Sequence, residues 1–235
     1  MVKIAIDGNI GCGKSTVIEK LREFTKLKNG LFKKVYSEDI ESWGDWLIKY
    51  YEEPKAYALG FQLTVLLSHL RQQGEVGEDD KGIYIYERCS HTCNRIFGSL
   101  LVDDDIMSER DLELCKSYEK EFNNGVDVLF YLQTTPEICK ERIIKRDRSC
   151  ESSIEMDYLK KLHDKYEDVY NFLESNSLYN SLFPSSAHTK KVDGINIYII
   201  NATHSAEVVL EIVLDTLTHH FCKHYSVEER AKMYV

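Results

Sequence analysis

Gly8-Asn9-Ile10-Gly11-Cys12-Gly13-Lys14-Ser15 fits G-x-x-x-x-G-K-[ST], a spacing suited to holding phosphate. The glycines let the backbone curl until successive N–H groups face one point, and the next helix starts with its positive dipole end there. Lys14 is expected to reach the terminal phosphates of a nucleoside triphosphate, the Ser15 hydroxyl to ligate Mg2+, and Thr16 to carry the loop into the helix. Glu38 and the pair Glu87-Arg88 each follow an apolar run. Two carboxylates beside a triphosphate suit phosphoryl transfer to a hydroxyl: one takes the acceptor's proton and the other binds the metal. Arg88 adds a cation that orients the base and steadies the acceptor oxygen. Arg142-Ile-Ile-Lys-Arg-Asp-Arg148 is the densest cationic stretch. On a helix, Arg142, Lys145 and Arg146 share a face and Arg148 falls in the following turn. Cations there neutralise charge on a transferring phosphoryl group, and a movable lid commonly delivers them. Gln62 sits among Ala58, Phe61, Val65 and Leu66. Its amide either reads the edge of a base, donating and accepting at once, or is satisfied by backbone.

These residues need elements to position them. Met1 to Asp7 reads as a buried strand, and Thr16 to Phe24 as a helix with Val17, Leu21 and Phe24 on one face. Further strands are expected at Lys34–Ser37, Ile83–Tyr86, Val126–Leu132 and Ile195–Ile200. Helices are expected at about Trp43–Tyr51, Lys55–Gln73, Thr92–Leu101, Ser108–Asn123, Pro136–Arg146, Asp157–Leu173 and Ala206–Phe221. Gly74–Gly82 and Ser175–Lys191 read as loops. Asp79-Asp80-Lys81-Gly82 fits D-x-x-G, but no Asn-Lys-x-Asp accompanies it. Five strands separated by helices predict an α/β fold with a parallel, doubly wound sheet, whose ligands bind at the carboxyl ends of the strands. Gly8 to Ser15, Glu38, Glu87-Arg88, the segment after Gln133 and Asn201 to Thr203 lie just there.

The 235 residues suffice for one domain spanning residues 1–235. At 43% hydrophobic and 29% charged, the chain is expected to build a folded core. A net charge of −9 argues against broad nucleic-acid or membrane-surface binding. The seven cysteines form no Cys-x-x-Cys pair and no zinc-spaced cluster with histidine, so reduced thiols in a cytosol-like compartment are expected. A strand from residue 2 leaves no room for a cleavable leader, and no apolar run approaches the ~20 residues of a membrane span. A cytoplasmic or nuclear protein follows.

In order and spacing, these motifs resemble the deoxyribonucleoside kinase family, which holds deoxycytidine, deoxyguanosine, mitochondrial thymidine and insect multisubstrate kinases. The resemblance rests on Ile6-Asp-Gly-Asn-Ile-Gly-Cys-Gly-Lys-Ser15, Glu38-x-x-x-x-Trp43 and Tyr51-x-x-Pro54 followed by Phe61-Gln62. It continues through Glu87-Arg88, Arg142-x-x-x-Arg146-x-Arg148, Glu151 and Tyr158-Leu159-x-x-Leu162-His163. It implies a P-loop kinase fold, a five-stranded parallel sheet surrounded by helices with an arginine-rich lid, usually dimeric. The implied reaction moves the γ-phosphoryl of ATP to the 5′-hydroxyl of a deoxynucleoside, with Mg2+. By the same resemblance Glu38 is the general base with Arg88 beside it, and Glu87 with Ser15 the magnesium partner. Tyr51 and Glu151 hold the sugar 3′-hydroxyl, and Gln62 reads the base. Trp43 and Phe97 line or sandwich it, and Phe61 and Val65 complete the wall. Arg142, Arg146 and Arg148 surround the donor phosphates.

The chain departs from the family pattern at Asp39, where proline usually follows the glutamate, and at Cys12 and Cys89, where serine is common. Near the base, the family uses an arginine–aspartate pair for deoxycytidine and purines, or methionine and alanine for thymidine. Here the aligned residues are His69 and Cys93. Cys93 leaves room for a thymine methyl, and His69 either donates to a base or fills space; pyrimidines or broad tolerance are expected. The rival is a nucleoside monophosphate kinase of the thymidylate type, whose acceptor already carries phosphate and needs extra cations. Residues 38–62 offer Glu38, Asp39, Glu41, Asp45, Glu52 and Glu53 against Lys49 and Lys55, which favours a neutral acceptor.

Overall fold

Runs such as Val-Lys-Ile-Ala-Ile-Asp and Val-Leu-Phe-Tyr-Leu-Gln are apolar at nearly every position, as strands covered on both faces must be. In the computed structural model, which describes residues 1–27, 32–76, 82–122, 125–146, 154–170 and 188–221, they form the middle of one sheet. The chain runs β1 (Val2–Asp7), α1 (Lys14–Leu27), β2 (Phe32–Tyr36), α2 (Ile40–Trp43), α3 (Asp45–Glu52), α4 (Pro54–Gly74) and β3 (Ile83–Glu87). Then come α5 (Ser90–Thr92), a π-helical turn (Cys93–Gly98), α6 (Ser99–Asp103), α7 (Glu109–Phe122), β4 (Val128–Gln133) and α8 (Pro136–Arg146). Finally come α9 (Met156–Tyr170), β5 (His188–Val192), β6 (Ile195–Asn201) and α10 (Ala206–Phe221).

The strand order is β2-β3-β1-β4-β6-β5. All pairings are parallel except β5 on β6. β1 lies between β3 and β4, so the connections part on either side of it. This is the switch point of a doubly wound sheet, and the glycine loop leaves β1 there. Register then aligns the site: Ile6 is level with Glu87, and Asp7 with Tyr131. Glycine loop, Glu87 and Arg88 therefore emerge at one edge.

Alternation along β1 sorts the core into two layers. Ile4 and Ile6 face α1, α8 and α10 through Ile18, Leu21, Ile143 and Val213. Ala5 faces the other side, with Tyr86, Tyr131, Leu162, Tyr166 and Tyr170. Burying a side chain of this size contributes roughly 1.5–3 kcal/mol, so both layers hold the strand ends firmly.

Three differences from the sequence reading have physical causes. The sheet has six strands rather than five: the end of the segment read as a loop, His188–Val192, pairs antiparallel with β6. Its polar run His-Thr-Lys-Lys-Val suits an edge strand, where lysine blunts further pairing and periodicity is weak. The helix read over Trp43–Tyr51 is α2 and α3, broken at Gly44 with φ 50°. The helix after Arg88 carries a π-helical turn, a widening common near functional sites. Gly98 closes that turn, where a Cβ would stand 2.7 Å from Leu112 Cδ1.

Candidate active site

The glycine loop is a set of backbone bends that side chains then pin. Gly8, Gly11 and Gly13 have φ of 149°, 80° and 109°, which L side chains rarely adopt. A Cβ on Gly11 would stand 2.5 Å from the Cys139 carbonyl oxygen. The Asp7 carboxylate accepts the Gly8 N–H at 2.6 Å, and Asn9 Nδ2 donates to the Leu159 carbonyl at 2.9 Å, tying the loop to α9. Lys14 Nζ folds over the loop, donating to the carbonyls of Gly8 at 3.0 Å and Asn9 at 2.8 Å. Arg142 uses both ends of its fork, donating from Nη1 to the Cys12 carbonyl at 2.8 Å and from Nη2 to the His204 carbonyl at 3.0 Å. A cleft of ≈ 400 Å³ opens there, lined by Gly11–Gly13, Ser15–Val17, Arg142, Lys145, Arg146 and His204–Ala206 at the entry to α10.

On the other side of the loop stand the carboxylates. Glu87 Oε1 accepts the Ser15 hydroxyl at 2.6 Å, and its Oε2 accepts the Glu38 backbone N–H at 3.3 Å. Arg88 has φ 63°, a left-handed conformation uncommon for a side-chain-bearing residue. Its N–H donates to the Ile6 carbonyl at 3.0 Å, holding that turn. The guanidinium pairs through Nε with Glu38 Oε1 at 3.1 Å. Nη1 donates to the Tyr166 hydroxyl at 2.9 Å and to Asp7 Oδ1 and the Gly8 carbonyl at 3.2 Å each. Its plane lies 4.6 Å from the Phe97 ring centroid, a cation–π contact. Burial raises the Glu38 pKa above the ordinary carboxylate value; Arg88 and Lys14 oppose the shift, while Glu87 and Asp7 add to it. Glu38 is therefore a stronger proton acceptor than a solvated glutamate.

Beyond Glu38 is an aromatic cluster on α2, α3 and α4. Trp43 meets Phe61 edge-on at 5.7 Å, and Tyr50 stacks on Phe61 at 4.9 Å. Trp43 Nε1 donates to Ser68 Oγ at 3.2 Å, and Ser68 donates to the Val65 carbonyl at 2.7 Å. Gln62 is buried, its amide nitrogen donating to the Cys93 carbonyl at 2.6 Å. His69 is also buried, and burial pushes its pKa down to about 4, so the ring is neutral near pH 7. Tyr51 stays 47% exposed beside Tyr50.

The structure thus links Lys14, Ser15, Glu38, Glu87 and Arg88 with Phe97 in one cluster, and sets Arg142 and Arg146 against the loop. Trp43, Phe61, Gln62, Val65, His69 and Cys93 form the neighbouring wall. Arg148 and Glu151 lie outside the described residues. Sequence reasoning missed Asp7 and Tyr166. The available signals were a carboxylate ending an apolar strand, and tyrosines 158, 166 and 170 recurring at helical spacing. Among the described residues, no group of three or more His, Cys, Asp or Glu could hold a metal by itself. No helix among them is long and apolar enough to cross a membrane.

The profile of the deoxynucleoside kinase family matches residues 4–218. A protein of Invertebrate iridescent virus 6, named only as a kinase, is 37% identical over 71% of this chain and 80% of its own. Human deoxycytidine kinase is 29% identical over 75% of this chain and 79% of its own. The structure of a deoxyadenosine kinase from M. mycoides superposes with a TM-score of 0.69, covering 93% of this chain and 99% of that one at 19% identity.

Proposed function

Because the chain belongs to the deoxynucleoside kinase family, and is thereby an ATP-dependent phosphotransferase, we propose that Glu38 is the base that activates a deoxynucleoside 5′-hydroxyl for attack on the γ-phosphoryl of ATP. The observation that carries this is the Arg88 Nε–Glu38 Oε1 pair at 3.1 Å, set one residue from the Glu87–Ser15 contact at the phosphate loop. A raised pKa suits a group that must accept a proton, and the pairing arginine aims the carboxylate. Residues 1–235 would act as a single domain.

In this reading the curled loop from Gly8 to Thr16 wraps the donor phosphates, and the amides of Gly11 and Gly13 supply donors to them, while the Ile10 N–H stays on Asn9 Oδ1. Lys14 leaves the Gly8 and Asn9 carbonyls to reach the β- and γ-phosphates. Arg142, Arg146 and Arg148 neutralise the charge that builds during transfer. Ser15 and Glu87 bring two hard oxygens to one point. That fits Mg2+, which takes one or two protein ligands and completes its shell with substrate phosphates and water. When bound, Mg2+ supplies charge neutralisation to the donor phosphates. The cleft between Arg142 and His204–Ala206 is continuous with the loop and would take the donor's base.

The acceptor's base would lie against Trp43, Phe61, Val65 and Phe97. For Gln62 to read a base edge with both halves of its amide, its bond to Cys93 must be exchanged. Tyr51, with Glu151, would hold the sugar 3′-hydroxyl. Neutral His69 and small, buried Cys93 present no fixed charge to the base, which supports pyrimidine or broad acceptance. The test is transfer from ATP to deoxythymidine, deoxycytidine, deoxyadenosine, deoxyguanosine and thymidine monophosphate. Transfer to both pyrimidine nucleosides and not to the monophosphate is expected. Purine-only transfer would end the base assignment, and monophosphate-only transfer would revive the rival reading and remove Glu38 from its role.

We further propose a homodimer. Leu114, Tyr118 and Phe122 form a stripe at i, i+4 and i+8 of α7, exposed at 42%, 40% and 58%. The self-contact of such a stripe would bury it. Wild type is expected to sediment as a dimer and Leu114→Glu as a monomer; a monomeric wild type would sink the idea. Free buried thiols at Cys12, Cys89, Cys93, Cys115 and Cys139 suit a reducing, cytoplasmic setting.

A further inference from the structure

We propose that Tyr166 is a positioning residue: together with Asp7 it holds the Arg88 guanidinium in register with the phosphate loop, so that acceptor and donor sides are built as one unit. This rests on the role given above to Arg88. The hydroxyl of Tyr166 donates to Asp7 Oδ1 at 2.7 Å and accepts from Arg88 Nη1 at 2.9 Å. The direction is forced, because a carboxylate can only accept and a guanidinium can only donate. Burial, and then Asp7, hold the phenol pKa well above its ordinary value, so the proton stays on the ring oxygen at every working pH.

Asp7 Oδ1 also accepts the Gly8 N–H at 2.6 Å. One fully buried carboxylate oxygen therefore meets the first amide of the phosphate loop, the Tyr166 hydroxyl and Arg88, whose Nε continues to Glu38. The path from loop to base crosses Asp7, Arg88 and Glu38 without leaving the protein. Arg88 needs such fixing, since its backbone is left-handed and its plane must lie along the Phe97 ring. Tyr166 is itself clamped: its ring stacks on Tyr131 at 5.2 Å and 3°, and meets Phe97 edge-on at 6.5 Å. Tyr131 supplies the internal control. Its ring lies in the same stack, but its hydroxyl donates to Glu167 at 2.8 Å and not to the arginine.

Tyr166→Phe removes one oxygen and keeps the ring. Loss of a hydrogen bond to a charged group is expected to lower kcat about tenfold, with the KM for ATP within about twofold of wild type. The acid limb of the kcat–pH profile is expected to move to higher pH, because a looser Arg88 supports the Glu38 carboxylate less. Tyr131→Phe, with the same loss of a phenol from the same stack, is expected to keep kcat and the limb. Equal losses in both variants with an unmoved limb would reduce Tyr166 to a packing residue and overturn the proposal. Wild-type kinetics in Tyr166→Phe beside an impaired Arg88→Lys would also overturn it, while sparing the site reading. Wild-type kinetics in both would remove the site reading itself. Should Tyr166→Phe fail to fold, Asp7→Asn carries the test: the same fall in kcat and shift of the limb is expected, and an unaltered profile would overturn the proposal.

Discussion

Glu38→Gln is expected to lower kcat by roughly 10²- to 10⁴-fold, the usual contribution of a positioned general base, while ATP binding stays near wild type. Glutamine keeps the shape and one acceptor oxygen towards Arg88 but cannot take the 5′-hydroxyl proton. The phosphate loop is unaffected, because its amides are held by Asp7 and Asn9, not by Glu38. A general base acts as its carboxylate. Burial raises the Glu38 pKa, so kcat/KM should begin to fall on acidification at a pH above the ordinary carboxylate range. The stability consequence has a definite sign. A carboxyl group whose folded pKa exceeds its unfolded one contributes stability that is fully present below the unfolded pKa and lost as pH rises through the folded value. At neutral pH the charged Glu38 therefore weighs against the fold, and Glu38→Gln should melt no lower than wild type. Steady-state kinetics across pH, calorimetric titration with ATP and thermal melts read all three. A variant within a few-fold of wild-type kcat would mean that Glu38 is not the base.

Arg88→Lys is expected to cost about 10²-fold in kcat/KM, since several bonds of a planar fork, each worth roughly 1.5–3 kcal/mol to a charged partner, cannot be remade by one ammonium. Arg88 reaches Glu38 with Nε while Nη1 reaches Asp7, Gly8 and Tyr166. A lysine can satisfy one side of that set and leaves the other facing a buried acceptor. Asp7 is fully buried, and its Oδ2 has no partner among the described residues. Losing Arg88 therefore strands more of its charge, and the melting temperature should fall as well. The two effects separate by measurement. A lower melting temperature with unchanged kcat/KM would make Arg88 a structural residue, and wild-type values for both would place it outside the site.

Much of the candidate site is legible in the sequence because its residues are local in sequence. The phosphate loop is eight consecutive residues between a strand and a helix, and Glu87-Arg88 are neighbours at a strand end. Both motifs specify their own backbone: glycines where φ must be positive, and an apolar run that has to be buried. Their flanking elements fell where periodicity put them, within a few residues. Weakly periodic segments did not. The edge strand His188–Val192 has few apolar residues to declare it, and its pairing with β6 rather than its composition makes it a strand. Gly44 gave no sign that it would split one helix into two.

The sequence by itself determined the phosphate loop, the order of the five parallel strands, the two strand-end carboxylates and the arginine beside them, because each follows from contiguous residues and short-range sterics. Only the tertiary structure decided which of those groups share a proton or a charge. Ser15 meets Glu87 across 72 residues, Arg88 meets Asp7 across 81, and Tyr166 meets Asp7 across 159. Such pairings depend on the register of β1 against β3 and on the face α9 turns to the sheet. Both are settled by burying two apolar layers at once, a condition on the whole chain that no short stretch of it carries.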